Sequence, residues 1–296
     1  VLEGGKKIQS DLIIGTDGAY SMVRKSIQNI GRFDFSQSYI DHGYKEIEIP
    51  AKDGTFALEP DHLHIWPRGS FMLIALPNTN KTFTCTLFLA YEGENSFEQL
   101  TNESKLNVFF KKFFPDVVEL IPDLVQQFFE NPTGSMVTTA CSPWYNNRVL
   151  LLGDAAHSIV PFFGQGMNAG FEDTRIFAEM AEIENFNWDK VLPAFSQERK
   201  PNTDAIAELA LSNFIEMRYL ENDERILIRK KLEAKLNEEF PETWIPLYSM
   251  VTFSNTPYAE ALRLGKIQEQ VMQEFATHNG TNLQSVIDRF NALKRA

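Results

Sequence analysis

At 296 residues the chain reaches the roughly 250–300 at which one hydrophobic core stops growing, so two domains are expected. Its 43% hydrophobic content and 24 phenylalanines supply a large aromatic interior, while a formal charge of −12 excludes the basic face that nucleic acid selects. Two cysteines are too few for a disulfide framework and fit a reducing, cytoplasmic setting, and no apolar run reaches the roughly 20 residues of a membrane helix.

The chain opens on Val1–Ser10, which reads as a hairpin around Gly4-Gly5 leading into a buried strand at Leu12, with no signal peptide. Residues Asp11 to Arg24 give that apolar strand, a Gly/Asp turn and a helix start, with Ser21 or Asp17 available as the cap. From Gly43 to about Ala90 the period becomes two. Tyr44, Glu46 and Glu48 stand against Lys45, Ile47 and Ile49, and Thr84 and Thr86 alternate with Phe83, Cys85 and Leu87. Turn chemistry at Asp53-Gly54, at Pro67 to Ser70 and at Asn78 to Asn80 makes this an antiparallel sheet of several strands.

Helices are predicted over Glu103–Phe114 and, after Pro115, over Val117–Phe129, bounded by Pro132-Thr133-Gly134. From Trp188 onward the pattern is helical. It includes a long segment from Pro201 to Leu236, whose charges Glu221, Asp223, Glu224, Arg225, Arg229, Lys230 and Lys231 read as a solvated face and whose apolar stripe should lie over the sheet. The segment Leu264–Phe275, with Met272 and Phe275, reads as helix packing. The expected organisation is a domain of residues 1–30 and 135–183, an inserted sheet domain of 31–134, and a helical region of 184–296.

Residues 149–173, VLLLGDAAHSIVPFFGQGMNAGFED, are the most informative stretch. Val149 to Leu152 is apolar without alternation, as in a central strand covered on both faces. It stops at Gly153-Asp154, where a carboxylate can accept from a ribityl or ribose hydroxyl, and Gly164-Gln165-Gly166 lets backbone approach a flat ring. A helix beginning between Gly166 and Asn168 would aim its unpaired N–H groups at that ring. Taken alone, the stretch is equally a strand-to-helix turn with Asp154 as a cap, and the first segment a plain strand, turn and helix with a surface Arg24.

Together, about 130 residues apart and in this order, the two segments resemble the carboxyl-side fingerprints of the single-component FAD-dependent aromatic hydroxylases. His42–Glu46, Leu63–Gly69, Phe71–Asn78, Phe83–Phe88 and Pro246–Ser254 look like the kynurenine 3-monooxygenase family, a resemblance running from about residue 10 to 275. It implies an α/β fold plus an antiparallel sheet: a partial FAD-binding Rossmann-like domain, an inserted β-sheet substrate domain and a carboxyl-terminal helical region. It implies FAD and NADPH as cofactors, and hydroxylation of L-kynurenine by dioxygen to 3-hydroxykynurenine through a flavin hydroperoxide, a step of tryptophan degradation toward NAD. A small-molecule substrate, no nucleic acid and no membrane are the partners expected, and a homodimer is the self-association it allows.

By the same resemblance, Gly153 and Asp154 bind the ribityl chain, Gly166, Met167 and Asn168 face the pyrimidine edge, and Asp17 and Arg24 support the diphosphate. Pro161 borders the oxygen-activation site, beside Phe162 and Gln165. Leu63, Met72, Ile74, Leu76, Thr86 and Phe88 wall the substrate pocket, with Phe163, Asn213, Glu216, Met217 and Tyr248, although the residues themselves would allow the first six to be plain core. Bacterial relatives often carry His where Phe163 stands, so Gln165 is the better polar contact.

The resemblance is incomplete at both ends. No strand with a G-x-G-x-x-G turn opens the chain, which therefore reads as the carboxyl-terminal two-thirds of a longer enzyme, its activity alone in doubt. The polar end Asn291–Ala296 lacks the family's eukaryotic membrane anchor and suggests a soluble, bacterial-type form. The alternatives are a truncated, non-catalytic fragment and another FAD-dependent aromatic hydroxylase. His62, His64 and His157 have no partners at metal-ligand spacing, and Ser21 and Ser158 sit in no nucleophile elbow, so neither a metal site nor a hydrolase is expected.

Overall fold

The computed structural model of the chain describes residues 4–5, 7–218, 224–275 and 282–295. In chain order, β1 (Ile13–Gly15) and α1 (Met22–Gln28) precede β2 (Asp34–Ile49), β3 (His64–Pro67), β4 (Met72–Pro77) and β5 (Phe83–Ala90). The helices α2 (Glu103–Phe113), α3 (Pro115–Val118) and α4 (Leu124–Glu130) follow, then β6 (Thr133–Ser142), β7 (Tyr145–Asn146) and β8 (Val149–Leu151). The remainder is helical: α5 (Asp154–His157), α6 (Gly166–Ile183), α7 (Trp188–Arg218), α8 (Glu224–Glu239), α9 (Leu247–Thr252), α10 (Tyr258–Phe275) and α11 (Leu283–Arg295).

The chain divides into two compact units, Val1–Ser38 with Val137–Asn213 and Ile228–Ala296, and Tyr39–Met136 with Phe214–Leu227. Residues 184–296 do not stand apart as a region of their own. Val191, Leu192 and Phe195 of α7 bury their side chains in the same core as Leu150, Leu151 and Ala155, which ties α7 to the strand-and-turn half of the chain.

In the first unit, Gly4 and Gly5 have φ of 85° and 80°; the first arm of the expected hairpin, residues 1–3, and residue 6 lie outside the described residues, while residues 7–10 of the second arm form no strand. A three-stranded sheet has the order β1-β8-β7, with β8 parallel to β1 and antiparallel to β7. Only β8 is central, and Leu150 and Leu151 are fully buried. The expectation that β1 is equally buried is corrected. It lies at the sheet edge, and Ile13 and Ile14 remain 49% and 42% exposed. Gly15 is glycine because a Cβ there would stand 2.7 Å from Val23 Cβ, too close for α1 to pack on β1.

In the second unit the strand order is β3-β4-β5-β2-β6. Alternation gives the sheet two faces. Ile47, Ile49, Leu73, Ala75, Phe83, Cys85 and Leu87 point into a core closed by the phenylalanines of α2 to α4. The other face carries the register rows Met72–Phe88–Tyr44 and Ile74–Thr86–Glu46. The single helix expected over Val117–Phe129 is broken in two, because Pro122 has no N–H to give and disfavours helical backbone at Ile121. The predicted segment Pro201–Leu236 is the end of one long helix, α7, and the start of α8, and Glu221 and Asp223 lie outside the described residues. Among the described residues no helix is long and apolar enough to cross a membrane.

Candidate functional site

The chain leaves β8 at Leu152 and turns at Gly153, whose φ of 60° and ψ of −142° suit glycine alone. One helical turn, α5, follows. A helix this short cannot satisfy its own carbonyls. Arg24 Nη1 donates to Ala155 O at 2.7 Å, the Cys141 thiol to Ala156 O at 3.3 Å, and Thr139 N to Ser158 O at 2.9 Å. Asp154, at the head of the turn, is exposed, and its carboxylate has no hydrogen-bond partner among the described residues.

The facing wall is built by the 3-10 turn Pro161–Phe163, by Gly164 in the left-handed conformation at φ 66°, and by the first turn of α6. The first bond of α6 runs from Ala169 N to Gln165 O, so the N–H groups of Gly166, Met167 and Asn168 have no intrahelical acceptor. Between the walls lies a cleft of about 670 Å³, within the usual range for small-molecule sites. Leu152, Ile159, Pro161, Met167 and Phe171 give its apolar lining; Asp154, Thr16, Thr174 and the bare backbone of the glycines give its polar one. A Cβ added at Gly18, Gly153 or Gly164 would meet nothing within 4 Å, and at Gly166 only Ile159 Cγ1 at 3.7 Å. A flat ring with a hydroxylated chain and an electron-rich edge matches this set of a free carboxylate, unpaired N–H donors and uncovered backbone.

Several residues expected at the ligand also make bonds within the chain. The Asp17 carboxylate accepts from the Ser21 hydroxyl and from Met22 N and Val23 N, capping α1. Burial opposes its ionisation, but the Ser21 hydroxyl and the backbone donors outweigh burial and hold the carboxyl below its usual range. Arg24, expected at a diphosphate, is 4% exposed and donates to Ala19 O and Ala155 O beneath the Phe35 ring, so it binds the two turn segments to each other. Burial also lowers its affinity for the proton, against the pull of Asp17.

Gln165, expected to contact substrate, is 5% exposed; its Oε1 accepts from Tyr258 and Asn168, and its Nε2 donates to Phe163 O. Tyr258 is pushed up to about 12, by burial first and by Glu172 and Asp173 nearby. Asn213 donates to Phe162 O at 2.8 Å and so holds the Pro161–Phe163 turn from α7. Tyr248 belongs to α9. Its ring stacks on Phe163 at 5.6 Å, while its hydroxyl has no partner among the described residues.

In the second unit, Met72, Ile74, Leu76, Thr86 and Phe88 do share the sheet face opposite the aromatic core. Leu63 precedes β3 and is exposed. Phe214 packs edge-on against His42 at 5.2 Å, on that same face, which brings Met217 beside it as the next residue of one helical stripe, with Glu216 exposed.

A buried cluster behind the cleft escaped the sequence reading. His157 Nε2 stands 2.5 Å from Asp173 Oδ2, Arg199 Nε donates to Asp173 Oδ1 at 2.7 Å, and the Trp144 indole stacks on His157 at 4.9 Å. Glu172 pairs with Arg199 Nη2 at 2.7 Å, but off the axis of a hydrogen bond. The signal was present: in α6, Asp173 interrupts a buried ridge of Ala169, Phe177 and Ala181 at four-residue spacing. Among the described residues no group of His, Cys, Asp or Glu could hold a metal ion. Cys85 and Cys141 are free thiols pushed up to about 12 by burial.

Residues 2–210 match the family described as an FAD binding domain. The chain belongs to that family. It is 51% identical over 266 residues to a kynurenine 3-monooxygenase of Flavobacterium johnsoniae, covering 89% of this chain and 60% of the relative, and 47% identical over 279 residues to that of Sus scrofa, covering 93% and 59%. The chain thus spans about 60% of the length of these curated relatives. Among solved structures, the tetrameric form of 2-methyl-3-hydroxypyridine-5-carboxylic acid oxygenase matches with a TM-score of 0.61 at 21% identity, over 73% of this chain and 57% of that one, and shows the fold alone.

Proposed function

We propose that the intact protein is an FAD- and NADPH-dependent monooxygenase that places a hydroxyl ortho to the amino group of L-kynurenine, within tryptophan degradation and in the cytoplasm. One dioxygen and one NADPH with a proton would give 3-hydroxykynurenine, NADP⁺ and water. The observation that carries this reading is the free Asp154 carboxylate set across a glycine-lined cleft from the unpaired N–H groups of α6. Identity of 44–51% to the kynurenine 3-monooxygenases supports the choice of substrate. Bound FAD would supply the redox and oxygen chemistry.

The chain's own residues would position and exclude water. Asp154 would accept from a ribityl hydroxyl, and Gly166 to Asn168 would donate through backbone to the pyrimidine edge. The apolar sheet face of Met72, Ile74 and Phe88 would form part of the substrate's surroundings. Kynurenine's amino group already enriches its ring, so little acid–base help is required from the protein.

The intact protein should purify yellow and convert L-kynurenine to 3-hydroxykynurenine with NADPH oxidised in step. Refusal of kynurenine with acceptance of a phenolic acid would move it to another hydroxylase subfamily. Flavin bound tightly by these 296 residues alone would count against reading them as an inert fragment.

Tyr248 offers a narrower test. Tyr248→Phe keeps the stack on Phe163 and removes only the free hydroxyl. If that hydroxyl holds the amino-acid end of the substrate, the intact variant keeps its thermal stability and flavin content while substrate affinity falls about tenfold, or ~1.4 kcal/mol. A loss of stability at normal affinity would make it a packing tyrosine.

A further inference from the structure

The buried cluster behind the cleft has no part in the roles assigned above. We infer that His157 and Asp173 are positioning residues for the cofactor: their bond clamps the two walls of the cleft at a fixed separation. This inference rests on the FAD reading and extends it to residues that do not touch the ligand. One wall is α5, a single turn whose leading residue, Asp154, makes no bond of its own, so its place is set by whatever holds the rest of the turn. The other wall is the start of α6, with Gly166 and Gly170 lining the cleft and Asp173 in the next turn of the same helix. A direct link from α5 to α6 is therefore a link between the walls.

Both partners of the clamp are buried and held from further elements. The Asp173 carboxylate is fully buried and shared, one oxygen toward His157 and the other receiving Arg199 Nε from α7. The imidazole stacks on Trp144, whose indole Nε1 donates to Cys141 O, and Cys141 in turn donates to Ala156 O of α5. At the base of the cleft the walls nearly meet, since a Cβ on Gly170 would stand 3.9 Å from Gly153 Cα. A shift of about 1 Å between α5 and α6 would then misplace the carboxylate against the backbone donors, and sites of this kind tolerate roughly half of that.

The test uses the intact protein. His157→Phe keeps an aromatic ring on Trp144 and leaves the Asp173–Arg199 pair in place, removing only the link between the walls. Flavin fluorescence titration, thermal unfolding and the visible absorption band of the bound flavin are recorded together. The expected result, at temperatures where the variant is fully folded, is FAD binding about tenfold weaker with an altered visible band. His157→Gln, whose amide still donates toward Asp173, should return to within about threefold of the unsubstituted protein, which a general loss of packing would not produce. Asp173→Glu keeps both charges and displaces the carboxylate by one methylene, so it reads the same separation without depending on His157→Phe being folded. Unchanged affinity and an unchanged band in the folded variants would overturn the clamp. Failure of the unsubstituted intact protein to bind FAD would overturn the cofactor reading and the clamp together.

Discussion

Arg199→Met is expected to destabilise the protein by about 3–5 kcal/mol, the cost of leaving one member of a buried ion pair without its partner. Asp173 is fully buried and Arg199 only 2% exposed, so neither group can turn to water when the other is removed. His157 and Glu172 do not replace the guanidinium, because the first already holds the other oxygen of Asp173 and the second is itself a carboxylate. Asp173→Leu should cost a similar amount. The double variant Asp173→Leu/Arg199→Met removes both charges at once and should be markedly more stable than either single variant. Denaturant midpoints for the four proteins provide the cycle. A single Arg199→Met variant within about 1 kcal/mol of the unsubstituted protein would show that the pair is solvated or replaceable, and would remove the rigidity on which the α5–α6 clamp depends.

The cleft was legible in the sequence because its parts are consecutive. Apolar Val149 to Leu152, then Gly153-Asp154, then Gly164 to Asn168 is a strand, a turn and a helix start whose conformations are set by local residue type. The sheet faces were legible for the same reason: period-two alternation in β2 and β5 sorts Ile47, Cys85 and Leu87 from Glu46 and Thr86 without knowledge of the partner strand. What the sequence concealed depends on pairing across distance. Arg24 and Asp154 belong to segments whose motifs suggest ligand contact equally, yet the Arg24 guanidinium also donates to Ala19 O and Ala155 O, and only the fold brings residue 155 to it. Gln165 likewise has its amide occupied by Tyr258, 93 positions away. Asp173 is concealed because an acidic residue on a helix reads alike whether it faces water or a buried partner brought by α7. The exposure of Ile13 and Ile14 follows from strand order, since an apolar triplet reads alike at a sheet's centre and at its edge.

Asp154→Ala is expected to cost about 1.5–3 kcal/mol of FAD affinity in the intact protein, the range for a hydrogen bond to a charged acceptor. The carboxylate has no partner among the described residues, so its removal breaks nothing within the fold. The turn beneath it is held elsewhere, by Arg24 at Ala155 O, by Cys141 at Ala156 O and by Asp173 at the His157 ring. Thermal stability without flavin should therefore stay within about 0.5 kcal/mol of the unsubstituted protein, as for a surface change that touches no special feature. Had Asp154 been a helix cap, the pattern would be reversed, with a stability loss of about 1 kcal/mol and FAD affinity unaltered. Asp154→Asn separates charge from geometry: its amide keeps an acceptor oxygen for a ribityl hydroxyl but loses the charge, so its affinity should fall between those of the unsubstituted protein and the alanine variant. FAD dissociation constants equal across all three would mean that the cleft holds its ligand through backbone and apolar walls alone, with the free carboxylate facing solvent in the bound protein as well.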